Sequence, residues 1–153
     1  MSGVMRFLGS VGLAICCADV SAADENRSRG VTLLNELTNT TEASRPYAAL
    51  AAEFPEIGRW IRDFAFADVL SRPALDIRTR ELITISVLTA QGNAQSQLKV
   101  HIDGALNVGC KPEEIVEAIL QMAVYAGFPA SMNGLSAARE VFTARQISLR
   151  GDG

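Results

Sequence analysis

Between Pro55 and Ile147 the apolar residues recur at spacings of three and four. The recurrence breaks at Ser71-Arg72-Pro73, Gly92-Asn93, Gly109 to Pro112 and Gly127-Phe128-Pro129. Spacing of that kind lays one stripe along a helix, and the Gly/Pro breaks mark where one helix hands over to the next. Pro55 opens a helix at its first position, where a missing amide proton costs nothing. That helix is predicted over 56–70, with Ile57, Trp60, Ile61, Phe64 and Ala67/Asp68 forming one buried aromatic face. The next is predicted over 77–90 with Asp76 as its N-cap. A third follows over 96–108, with Leu98, Ile102, Ala105 and Leu106 on its stripe and Gly109 as a left-handed cap. Pro112-Glu113-Glu114 starts a fourth, which runs to Tyr125 with two acids in its first turn, where the helix dipole favours them. The last is predicted over 130–147. Upstream, a short helix is expected over 31–37, ending in the Thr/Asn cluster at 38–41, and a helix or turn over 46–53. No segment alternates with period two for long enough to be a strand, so the predicted fold is all-α.

Two features of this pattern bear on assembly. The 77–90 helix is apolar almost all round, which places it at the centre of the fold or at an interface. Small residues crowd the second half of the chain (Gly104, Ala105, Ala123, Ala126, Gly134, Ala137, Ala138), so its helices can approach closely. A chain of 153 residues with so much apolar helix surface is expected to form a homo-oligomer.

The first residues follow a different pattern. Met5-Arg6 supplies a thin positive region, Phe7 to Cys17 is an apolar stretch of 11 residues, and small residues follow at Ser21-Ala22-Ala23. This is the layout of a secretory signal peptide, too short to remain as a membrane anchor. The expected organisation is therefore a signal peptide over 1–22, a polar linker over 23–30 and one helical domain over 31–148. The expected location is periplasmic or secreted, with no membrane association after cleavage. The alternative is an N-terminal tail on a cytoplasmic protein. Cleavage near Ala22 would remove Cys16 and Cys17 and leave Cys110 alone, with no intrachain disulfide.

Net charge is −3, and no basic stripe is present, so nucleic-acid binding has no electrostatic support. His101 is the single histidine. Proton transfer near neutral pH therefore has one obvious side chain to use.

Several spaced motifs around that histidine carry a resemblance. Arg78-Thr-Arg80-Glu81-Leu-Ile-Thr, then Gly92, then Leu98-x-x-His101-x-x-Gly104-Ala-Leu-Asn107-x-Gly109, are similar to the carboxymuconolactone decarboxylase family. So are Pro112-Glu113-Glu114-Ile115, Tyr125-x-Gly127-x-Pro129-Ala130 and Ala138-Arg139-Glu140-Val141-Phe142. The resemblance spans roughly residues 33–142. It implies a compact helical domain of the alkylhydroperoxidase-like type that assembles as a trimer or hexamer.

The family divides into two chemistries. The thiol-dependent peroxidases carry a CxxC pair just before the histidine; the corresponding positions here are Ala94 and Gln97, which cannot form a thiolate. The decarboxylases act without a cofactor, and the resemblance implies neither cofactor nor metal for this chain. In that branch the enzyme stabilises a developing oxyanion and returns a proton to carbon. The resemblance implies His101 as the proton donor and Glu81 as the group that orients its imidazole. Packing antiparallel across Gly92-Asn93 would bring the two within about a helical turn of each other in height. Arg80 is a candidate for binding a substrate carboxylate. Plainer readings stand beside these: Glu81 pairing with Arg78 or Lys99, Arg80 as a solvated charge, Asn107 as a capping group and Tyr125 as packing. The expected partner is a small-molecule substrate, a lactone or keto acid. A thiol peroxidase working through Cys110 and a non-enzymatic ligand binder are the competing readings.

Overall fold

The computed structural model describes residues 10–39 and 46–148. Seven α-helices and one π-helical segment are found among them, and no strand. They are α1 (Ser10–Thr38), α2 (Ala48–Glu53), α3 (Pro55–Arg59), the π-segment (Trp60–Leu70), α4 (Ile77–Gln91), α5 (Gln95–Asn107), α6 (Pro112–Tyr125) and α7 (Phe128–Ala144). The start of the expected signal peptide, residues 1–9, and part of the Thr/Asn cluster lie outside the described residues.

From α4 onward the predicted boundaries hold to within a few residues, because each is set by a local device. The Asp76 carboxylate accepts a hydrogen bond from the Thr79 N–H at 2.9 Å and starts α4. Gly92, at φ 72°, closes it. Glu114 accepts from the Lys111 N–H at 2.7 Å and also receives the Arg78 guanidinium at 2.7 Å, which ties the start of α6 to the start of α4. Ile85, Leu98, Ile102, Ile115, Ile119 and Phe142 fill the core that α4–α7 enclose. Burying side chains of this size is the main favourable term in the fold.

The N-terminal half departs from expectation in two places. Residues 23–30, expected as a polar linker, are helical and continuous with α1. Arg29 reaches Glu25 at 3.6 Å and Asn26 at 2.8 Å, pairs that only a helix brings together. Gly30 also lies so close to the π-segment that a Cβ there would stand 2.6 Å from the Arg62 carbonyl oxygen. Packing therefore extends a helix that local polarity argued against.

The second departure concerns the face of the 56–70 helix. Trp60 and Phe64, expected inside, are exposed, while Phe66 and Ala67 are buried. The cause is the winding. The Ser71 N–H bonds to the Phe66 carbonyl, five residues back, so each turn is wider than an α-turn. The inward residues become Ile61, Ala65/Phe66 and Leu70, at spacings of four and five, packed with Leu34 and Leu37 of α1 in a second, smaller core.

α4 is covered by α5, α6 and α7 on one side, while its Ile83 and Val87 remain half exposed. No helix among the described residues is long and apolar enough to cross a membrane.

Candidate active site

Glu81 sits one turn into α4 and His101 in the middle of α5, and the antiparallel packing of the two helices brings them together. Glu81 Oε2 lies 2.9 Å from His101 Nδ1. The Glu81 side chain is wholly buried, whereas that of His101 is 27% exposed. With Glu81 ionised, Nδ1 must carry the proton of this bond, which fixes the imidazole's orientation and leaves Nε2 as the nitrogen free for other work. The other carboxylate oxygen, Glu81 Oε1, is buried with no hydrogen-bond partner. A buried acceptor left unmatched is costly. Here it belongs to a side chain that also lines the cavity.

That cavity, of about 330 Å³, lies across α5 between the end of α1 and α7. Val100 and Gly104 form its floor, and Leu37, Phe66 and Val141 supply most of its apolar wall. Among the described residues, Glu81, His101, Lys99 and Asp103 are its charged or titratable side chains. Gly104 allows a close approach here: a Cβ would lie 3.1 Å from Leu37 Cδ2, so the Leu37 side chain would have to give by a few tenths of an ångström, and 3.7 Å from Glu81 Oε2. A chain of polar contacts locks the three walls. Asn107 Nδ2 donates to the Leu37 carbonyl at 2.6 Å, Arg145 donates to Asn107 Oδ1 at 2.6 Å, and Arg145 Nε donates to Asp103 Oδ1 at 2.6 Å.

The structure thus joins two of the three sequence candidates and separates the third. The Arg80 guanidinium donates to the Arg72 carbonyl at 2.8 Å and the Leu75 carbonyl at 3.2 Å, holding the loop before α4, and is not part of the cavity lining. The plainer partners suggested for Glu81 are taken elsewhere, Arg78 by Glu114 and Lys99 by Glu140. Tyr125 is exposed, far from a packing role in this chain. Asn107 caps the end of α1 rather than its own helix. Sequence reasoning missed Lys99, Asp103, Leu37 and Phe66 as cavity residues. Lys99 and Asp103 lie two positions to either side of His101, on another face of α5, so helix geometry alone did not group them with it. Leu37 and Phe66 carried no signal, since they arrive from distant elements.

Cys110 is buried, and its Sγ lies 3.6 Å from the Arg78 carbonyl. Burial pushes its thiol pKa up, the opposite of what a reactive thiolate needs. It does not line the cavity. No group of three or more His, Cys, Asp and Glu side chains among the described residues is placed to hold a metal ion.

Comparison with known proteins agrees with this picture. A model of the carboxymuconolactone decarboxylase family matches residues 55–140. The chain is 35% identical over 120 residues to a 4-carboxymuconolactone decarboxylase from Acinetobacter baylyi, covering 78% of this chain and 89% of that protein. It is also 35% identical over 101 residues to a nitrosuccinic acid decarboxylase from Metarhizium robertsii, covering 66% of this chain and 63% of that protein.

Proposed function

The chain belongs to the carboxymuconolactone decarboxylase family, and on that premise we propose that it is a carboxy-lyase. It acts without a cofactor on a small carboxylated lactone or keto acid. The observation that carries this reading is the Glu81–His101 bond at the wall of a mostly apolar cavity. The named substrates of the two relatives share a carboxylate close to an electron sink, a lactone carbonyl in one and a nitro group in the other.

The chemistry follows from those parts. The bond between carbon and the departing carboxylate breaks, and its electron pair moves through the conjugated system to the sink. Apolar walls favour this step, because the localised carboxylate charge is lost as CO2 and the remaining charge is spread out. Protonated His101 then delivers the Nε2 proton to carbon, and the imidazole regains a proton from solvent. Glu81 holds the ring in place and supports its positive charge through Nδ1. The test is to incubate the purified protein with γ-carboxymuconolactone, nitrosuccinate and related acids and to measure CO2 release. No release above background from any of them at micromolar enzyme would remove the reading.

The reading extends to two further properties. The N-terminal pattern supports export to the periplasm or beyond, which would require a substrate supplied there; an intact Met1 start on the native protein would defeat it. The exposed Ile83, Val87, Val124, Tyr125, Phe128 and Met132 support a homo-oligomer, trimeric or hexameric as the family resemblance implies. Elution as a monomer at micromolar concentration would count against that.

A further inference from the structure

On α5, at 3.6 residues per turn, Leu98, Ile102 and Ala105 occupy the core side, and Val100 and Gly104 face the cavity on the opposite side. His101 and Lys99 fall on the two flanks of that floor, one towards α4 and the other towards α7. A small molecule lying across Val100 and Gly104 has the proton donor at one end and an ammonium at the other.

The charges around the cavity are not equivalent. Glu81 is committed to His101, and Asp103 to Arg145. Among the described residues, Lys99 is the one lysine or arginine that lines the cavity. Its partner is Glu140 of α7, a carboxylate that is 56% exposed and is not part of the lining. An ion pair in that setting is weak, since water solvates either group nearly as well as the partner does. A carboxylate lying in the cavity can compete with Glu140 for Lys99 through a charge-assisted contact.

We propose that Lys99 is the anchor for the substrate carboxylate that is not lost, and that this carboxylate displaces Glu140 from Lys99 on binding. The inference rests on the decarboxylase reading for which group leaves, but not for the binding itself. It makes the preferred ligand a small dicarboxylate, with one carboxylate over His101 and the other at Lys99. It also gives Glu140 a definite effect: as an internal competitor, it weakens binding.

A merely structural tie between α5 and α7 predicts something else. Loss of either partner would then act alike, through stability. The two accounts separate in a titration of the full-length protein with succinate, with propionate as the single-carboxylate control, followed by calorimetry and by the His101 ring resonances. Succinate should bind saturably and more tightly than propionate. Lys99→Gln should weaken succinate about 10- to 100-fold, the usual worth of a charge-assisted contact, and Lys99→Arg should restore much of it. Glu140→Gln should tighten succinate by a few-fold. The inference is overturned if Lys99→Gln binds as the parent does, if Glu140→Gln weakens binding alongside Lys99→Gln, or if the parent shows no saturable binding at about 10 mM. Because succinate has no electron sink and is not turned over, these outcomes do not depend on whether any acid is decarboxylated. The CO2 assay can fail while Lys99 passes, and the reverse.

Discussion

The bundle of α4–α7 and the layer formed by α1 with the π-segment bury their apolar residues in different ways. In the bundle every helix is α-wound, the starts of α4 and α6 are held by local caps, and the core is broad. The N-terminal layer has a small core centred on Leu34, Leu37 and Phe66, and one of its two elements is π-wound. The cavity lies where the two meet. Glu81 and His101 both come from the bundle, whereas Leu37, Thr38, Pro46 and Phe66 come from the N-terminal layer. The Glu81–His101 pair is therefore fixed by the more extensive packing, and the cavity wall facing it by the less extensive packing. Reaction and selectivity can change separately in such an arrangement.

The sharpest way to test that division is at His101. His101→Gln should cut turnover about 10²- to 10⁴-fold, the range for a positioned acid or base, while thermal stability stays near that of the parent. Glu81→Gln should lose less, because an amide oxygen still accepts from Nδ1–H but brings no negative charge. If His101→Gln lost stability and activity together, the histidine would be part of the packing and the division would fail. If it kept full turnover, the site would lie elsewhere.

A smaller effect compares the two cores directly. Ile102→Ala removes a wholly buried side chain from the bundle and should cost about 2–5 kcal/mol in urea denaturation. Leu37→Ala should cost less, because its neighbours border a cavity and already lack contacts on one side, but it should alter KM as the wall recedes. Equal stability losses, with KM unmoved in Leu37→Ala, would erase the distinction.

The smallest effect concerns pH and the ties at the start of the bundle. The Lys111 N–H and the Arg78 guanidinium hold the Glu114 carboxyl below its ordinary value of 4.5, and the Thr79 N–H holds Asp76 below 3.8. A depressed carboxyl stabilises the fold above its unfolded pKa, and the stabilisation is lost as pH falls through the folded one. Stability should thus decline below about pH 4.5, and Glu114→Gln should flatten that decline. A variant with the same acid limb as the parent would show that these ties contribute nothing measurable.

Much of the bundle was legible in the sequence because its determinants are local. Asp76, Gly92, Gly109 and Pro112 act on their immediate neighbours, and the apolar period of α5 and α6 needs no partner to be read. The aromatic face assigned to 56–70 went wrong for the converse reason. Its residues were read with an α-helical period, whereas the segment is π-wound where it packs against α1. Residues 23–30, read as polar, are helical, and Gly30 there packs against Arg62 and Ala67.

The sequence by itself determined the helical class, the later helix boundaries, the family and the candidate pair Glu81 and His101. Each of these depends on residue type and short spacing. Tertiary structure alone decided that the Arg80 side chain holds the loop before α4 and does not line the cavity, that Glu81 has one oxygen on His101 and one unmatched, and that Leu37 and Phe66 form part of the wall. Those outcomes depend on side chains separated by tens of residues meeting at hydrogen-bonding or van der Waals range. No local pattern records such a meeting, because the energy that selects it comes from burial shared between elements.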